Sequence, residues 1–242
     1  MSNRLALPQV EFFFSEKIPT DQLLFVAGGR PPAEEWLAQA AKLFPVWGID
    51  RGVDSCRSAS VKPVQVIGDG DSASTDGWRW VKTLGIPVEI HPPEKDLTDL
   101  QLSLKRAGQQ YNQATVIVTG VWGGRFDHLF SNIYSLLGGE AFGLTTCCAA
   151  DDKEVLVLLR GPKSLNIHPK LRPTIVSLLP LSPCTGVSID GVRWPLSGVD
   201  LTMELPYAIS NRPLPEKDSL SVTIDEGCLG VYLCFDEHKV TE

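Results

Sequence analysis

The sequence predicts an α/β fold in which a half built on a mostly parallel sheet with flanking helices is followed by an all-β half. Three observations carry this expectation. Between about Leu23 and Ala150, short apolar runs alternate with helical stretches. Beyond that point β-rich runs succeed one another with no amphipathic helical stretch between them. The 242 residues, 43% hydrophobic and 21% charged, are enough for substantial buried cores in a globular protein.

The elements follow in order. "LLFVAGG" (23–29) is an apolar run closed by glycine, the pattern of a buried strand. "PAEEWLAQAAKLF" (32–44) places proline and acids ahead of apolar residues at helical spacing. "VWGID" (46–50), "VQVIG" (64–68), "VEIH" (88–91) and "TVIVTG" (115–120) read as strands. "DGWRWVKTLG" (76–85), "TDLQLSLKRAGQQ" (98–110) and "FDHLFSNIYSLLG" (126–138) read as helices. Such alternation implies right-handed crossovers and a parallel sheet. The second half holds "EVLVLLRG", "SLNIH", "TIVSLLPLS", "TGVSIDGV", "LTMELPYAIS", "SLSVTID" and "CLGVYLCFD", separated by Gly, Pro, Asp and Ser. Short strands at this spacing predict a sandwich or a small barrel. The expected domains are therefore 1–152, α/β, and 153–242, all-β.

Charge and cysteine content narrow the function. With 22 basic against 29 acidic residues the net charge is −7, which argues against a general nucleic-acid binder. The six cysteines form no CxxC pair, and the reading is buried free thiols in a reducing compartment. No apolar run approaches the ~18 residues of a membrane span, and the start has no signal-peptide pattern. A cytoplasmic protein with no membrane partner is expected.

In an open parallel sheet, ligands bind beyond the carboxyl ends of the strands. That edge receives Gly28 and Gly29, then Asp50, then Asp69 and Asp71 of "GDGDS". Lys95, Asp96 and Asp99 follow the fourth strand, and Gly123, Gly124, Arg125 and Asp127 the fifth. Asp–Gly–Asp alone is a common turn, and Thr98 or Asp96 is a candidate helix cap. The convergence of all five connections is more specific. Carboxylates and phosphates repel one another unless a hard divalent cation such as Mg²⁺ lies between them, while Lys95 and Arg125 suit phosphate oxygens. This combination fits phosphoryl or pyrophosphoryl transfer.

The motifs "IDRG" (49–52), "GDGDS" (68–72), "EKDLTDLQLSL" (94–104) and "GGRFDHLFSNI" (123–133) resemble those of the thiamine pyrophosphokinase family. "IVSLLPLS" (175–182), "DGVRWPL" (190–196) and "AISN" (208–211) continue the resemblance, which covers about Phe25 to Phe235. It implies a Rossmann-like α/β domain followed by a β-sandwich, and transfer of pyrophosphoryl from ATP to the hydroxyl of thiamine, leaving AMP. It also implies a homodimer whose sites are shared between subunits. By the same resemblance Asp69, Asp71 and Asp99 match the Mg²⁺ and catalytic carboxylates, with Arg125 beside the transferring group. Gly28, Gly29, Asp50, Lys95, Asp96, Arg125 and Asp127 match the ATP site. Trp194, Ser210 and Asn211 match the thiamine site, where an indole face suits the thiazolium cation. Gly70, Arg51 and Arg212 depart from the family, which usually has a bulky apolar residue, a glycine and an acid there. A nucleotide or thiamine diphosphate sensor, and an enzyme moving only the γ-phosphoryl group, are the rival readings.

Overall fold

The computed structural model describes residues 2–70, 72–92, 94–111, 113–144 and 146–236, apart from the side chains at 146 and 147. The chain forms two compact units, one of residues 19–151 and one of residues 1–18 with 152–242. The fold is mixed α/β with more than one sheet and few helices.

The chain begins with β1 (Ser2–Ala6) and β2 (Val10–Ile18). The first unit then runs β3 (Gln22–Val26), α1 (Glu34–Ala40), β4 (Val46–Ile49), α2 (Gly52–Ser58) and β5 (Gln65–Gly68). It continues with α3 (Thr75–Thr83), β6 (Val88–Ile90), α4 (Asp99–Tyr111), β7 (Thr115–Thr119), α5 (Phe126–Leu137) and β8 (Thr146–Ala150). Its strands are parallel in the order β8-β7-β3-β4-β5-β6. Every residue of β4, β5 and β7 is buried, as expected for strands covered on both faces. From β3 the order runs one way through β4, β5 and β6, and β7 then joins the other side of β3. The strand order reverses there, the kind of point at which open α/β sheets bind ligands beyond the carboxyl ends of their strands.

Local chemistry sets the helix starts. The Ser74 hydroxyl accepts the Gly77 N–H at 2.9 Å and caps α3. Before α4, the Thr98 hydroxyl accepts from the Gln101 N–H and the Gln101 side chain accepts from the Thr98 N–H, a reciprocal capping box. Of the two expected caps, Thr98 is the one used.

The other unit holds β1, β2, β9 (Glu154–Arg160), β10 (Lys163–Pro169), β11 (Ile175–Pro180), β12 (Cys184–Asp190), β13 (Leu196–Leu201), β14 (Leu220–Ile224) and β15 (Cys228–Cys234). One antiparallel sheet has the order β1-β2-β10-β14-β12-β13, and β11, β15 and β9 pair antiparallel in that order. Val10, Phe12 and Phe14 of β2 point into the core with Leu165 and Ile167 of β10, the two-residue period of a strand with one buried face.

The structure differs from the expected elements in several places, among them the unanticipated strand β13. Residues 1–18, expected in the α/β half, pair with β10 and belong to the antiparallel unit. Helix α2 is unanticipated because its seven residues are too few for apolar periodicity to register. Strand β8 hides in a run of small residues. Residues 202–210, expected as a strand, form none; Pro206 lacks the N–H a ladder needs.

Candidate active site

The loops at the carboxyl ends of β3, β4, β5, β6 and β7 meet around a cavity of about 570 Å³. After β3, the Gly29 N–H donates to Gly120 O at 2.8 Å. A β-carbon on Gly29 would lie 2.4 Å from that oxygen, so only glycine permits the two loops to approach this closely. After β4, Asp50 adopts a left-handed φ of 51° while its N–H donates to Ile67 O. Short polar residues such as Asp tolerate this conformation better than most. Asp69 follows β5, Asp99 opens α4, and Arg125 precedes α5.

Gly28, Gly29, Asp50, Asp69, Lys95, Asp96, Asp99 and Arg125 all line this cavity. Asp71 lies outside the described residues. Asp127 is not part of the lining; its carboxylate binds Arg125 through two contacts of 2.5 and 3.1 Å at the exposed start of α5. That pair raises the Arg125 pKa and lowers that of Asp127.

The electrostatics centre on three acids. One carboxylate oxygen from each of Asp50, Asp69 and Asp99 lies within 4.8 Å of the others. Lys95 Nζ sits 3.0 Å from Asp99 Oδ1 and 3.8 Å from Asp69 Oδ2. Burial, then the neighbouring Asp69 charge, pushes the Asp50 pKa up to about 6, against the pull of the Arg51 backbone N–H. Asp50 Oδ1 is buried with no hydrogen-bond partner among the described residues. Three carboxylates against one ammonium leave an excess of negative charge around an unsatisfied oxygen. An all-oxygen donor set of this kind fits a hard divalent cation.

A separate cavity of about 170 Å³ occupies the antiparallel unit. Val176, Leu178, Ile189 and Leu196 line it with Trp194, Tyr207, Ala208, Ile209 and Asn211. Trp194 is 53% exposed, so it is a wall residue and not a core one. The Arg193 guanidinium lies 5.0 Å from its ring centre. The Asn211 amide holds the Trp194 backbone from both sides, donating to its carbonyl at 2.6 Å and accepting its N–H at 3.1 Å. Ser210, at φ 60°, donates its N–H to Ser177 Oγ and does not line the cavity.

Two family models match this chain: "Thiamin pyrophosphokinase, catalytic domain" over residues 39–147 and "Thiamin pyrophosphokinase, vitamin B1 binding domain" over residues 164–229. The chain belongs to the thiamin pyrophosphokinase family. It is 27% identical over 199 residues to the thiamine pyrophosphokinase of Bacillus subtilis (strain 168), covering 81% of this chain and 91% of that one. It is 25% identical over 174 residues to thiamine pyrophosphokinase 1 of Oryza sativa subsp. japonica, which are 68% of this chain and only 63% of that one. The crystal structure of the Bacillus subtilis thiamine pyrophosphokinase shares the fold, with a TM-score of 0.77 at 23% identity over 89% of this chain and 99% of that chain.

The catalytic-domain match contains Asp50, Asp69, Lys95, Asp99 and Arg125, and the vitamin B1 binding match contains the small cavity's lining. The three departures from the family pattern also have positions. Gly70 has φ 86°, where a side chain would be strained, although a β-carbon there would meet only Ile90 within 4 Å. Arg51 lines the large cavity. The Arg212 N–H donates to Asn211 Oδ1. Sequence reading passed over Ser72, His128, Ser131 and Asn132, which also line the large cavity. The last three are spaced i, i+3, i+4 on α5, a polar stripe that was legible as one helix face.

Proposed function

We propose that this chain is a thiamine pyrophosphokinase, moving the β,γ-pyrophosphoryl group of ATP onto the hydroxyl of thiamine to give thiamine diphosphate and AMP. The observation that carries the reading is the Asp50–Asp69–Asp99 cluster with Lys95 in the large cavity, inside the segment matched to the family's catalytic domain. Asp69, Asp71 and Asp99, with Asp50 beside them, would hold Mg²⁺. Bound there, the ion would neutralise phosphate charge and orient the reacting groups.

The protein's own groups do the rest. Gly28 and Gly29 give the polyphosphate close access to backbone, and Asp96 and Asp127 border the nucleotide. Lys95 and Arg125 offset charge on the transferring group and on departing AMP. Arg125 is free to exchange Asp127 for phosphate, because an exposed pair is weakly held. Asp71 or Asp99 accepts the proton of the acceptor hydroxyl. Trp194 stacks on thiamine, with Ser210 and Asn211 at the pyrimidine.

The architecture proposed with it is a Rossmann-like α/β half and a β-sandwich half. Two copies form a homodimer whose sites draw on both subunits. Free buried cysteines such as Cys56 and Cys184 suit the cytoplasm. Among the described residues no helix is long and apolar enough to cross a membrane.

Incubation with ATP, Mg²⁺ and thiamine tests the reading. Equal amounts of AMP and thiamine diphosphate are expected. Release of ADP would mean transfer of the γ-phosphoryl group alone, and binding without turnover would mean a sensor.

A further inference from the structure

Behind the large cavity an ion pair joins three loops of the sheet's carboxyl edge. Arg30 Nη2 lies 2.6 Å and Nε 3.2 Å from Asp151 Oδ2. The Asp151 side chain is 1% exposed, directly after β8. The same guanidinium sits over the buried Trp122 ring, 5.8 Å from its centre. The Arg30 backbone N–H donates to Trp122 O, and a β-carbon on Gly123 would meet the Arg30 β-carbon at 3.0 Å. Arg30 thus touches the loops after β3, β7 and β8 together.

Neither Arg30, Trp122 nor Asp151 lines the cavity, yet Gly28, Gly29, Gly120, Gly123, Gly124 and Arg125 do. Those glycines have little intrinsic preference for one conformation, and Gly120, Gly123 and Gly124 all have positive φ. Such loops keep one shape only if something outside them fixes it. A two-contact Arg–carboxylate pair with its acid buried is directional enough to do so, and the planar guanidinium, a third exposed, adds its contact with the indole.

We propose that Arg30 is a positioning residue for the nucleotide, setting the shape of the two glycine loops through Asp151 and Trp122 without touching the ligand. The proposal rests on the large cavity being the ATP site. Equilibrium titration with a non-hydrolysable ATP analogue and Mg²⁺ reads it without turnover. A purely structural pair would lower the folded fraction, and hence the signal amplitude, but leave the dissociation constant of the folded molecules alone. Arg30→Met is expected to weaken analogue binding about tenfold, the usual scale for removing a group that orients a site from behind. Arg30→Lys should recover part of the loss, and the thiamine KM should stay near wild type. Should Arg30→Met not fold, Asp151→Asn decides, because it keeps shape and acceptor while removing the charge. A several-fold weaker dissociation constant is expected for it. Unchanged analogue affinity in folded Arg30→Met, or in Asp151→Asn when Arg30→Met is unfolded, overturns the proposal. So does failure of both variants to fold, which would make the pair a folding element only. A wild-type chain that binds no analogue would instead remove the ATP-site reading beneath it.

Discussion

The two cavities are built by opposite means. The larger is made of loops, with glycine backbone and charged side chains brought to one sheet edge by five different strands. The smaller is made largely of side chains from strands and their flanking segments, mostly apolar with Tyr207 and Asn211 among them. Acids of the two units differ in a comparable way. Asp50 is crowded by burial and like charge, and its pKa rises to about 6. Glu11, in the antiparallel unit, is held by Arg4 and Lys170, and its pKa falls to about 2. One region keeps charge uncompensated and the other satisfies it. Uncompensated charge needs a ligand of opposite sign, whereas an apolar wall needs only shape and a π face.

Mutation can break or sharpen that contrast. The largest effect is expected from Asp69→Asn, which should cut AMP formation by roughly a thousandfold or more, the scale for losing a charged group at a reacting phosphate. Circular dichroism should show the fold retained. Near-normal turnover would remove Asp69 from the chemistry.

Trp194→Ala comes next. Loss of a desolvated cation–π contact of about 1–2 kcal/mol corresponds to a roughly five- to thirtyfold rise in the thiamine KM. The ATP KM should hold, and Trp194→Phe should recover part of the loss. Because the indole is half exposed, the melting temperature should move little. A large drop in melting temperature with an unchanged thiamine KM would make Trp194 a packing residue.

A smaller effect is expected at Asp50, and with the opposite sign. A carboxyl whose folded pKa lies above its unfolded value destabilises the fold once ionised, so stability falls as pH rises from about 4 to about 6. In the metal-free chain, Asp50→Asn should therefore raise the melting temperature at pH 7 and do so less at pH 5. Partial exposure screens the effect, so roughly 2–4 °C is expected, the shift ~1 kcal/mol produces in a chain of this size. Asparagine also keeps the left-handed turn. A lower melting temperature at pH 7 would show that Asp50 is compensated after all.

Glu11→Gln should matter least. Its lowered pKa means a contribution present above about pH 4 and lost as pH falls towards 2. Arg4 and Lys170 are each about half exposed, so the change at pH 7 should stay within ~1 kcal/mol in a denaturant melt.

Legibility followed the same division. The parallel strands were readable because burial on both faces makes them continuous apolar runs, and the start of α4 because Thr98 is a capping residue. The acids of the large cavity were readable because strand ends in such a sheet share one edge. That Asp127 pairs with Arg125 and does not line the cavity was not legible, since polar residues two apart at a helix start give no sign of which faces inward. The affiliation of β1 and β2 was invisible because it depends on β10, far along the chain, and local pattern carries no partner information.

That last pairing has a consequence for synthesis. The α/β unit is an insertion between β2 and β9, so β2 emerges from the ribosome long before β10, whose Asn166 opposes Phe13. Strand β1 covers one edge of β2 at once. At the usual ~5–20 residues per second, the other edge waits for roughly 8–30 s. During that wait "VEFFFSEKI" is a sticky, half-paired ribbon, and Glu11, Glu16 and Lys17 are the charges that discourage foreign strands from joining it. The inserted unit meanwhile has all of its own strands in hand by Ala150 and can close while the other is still being made.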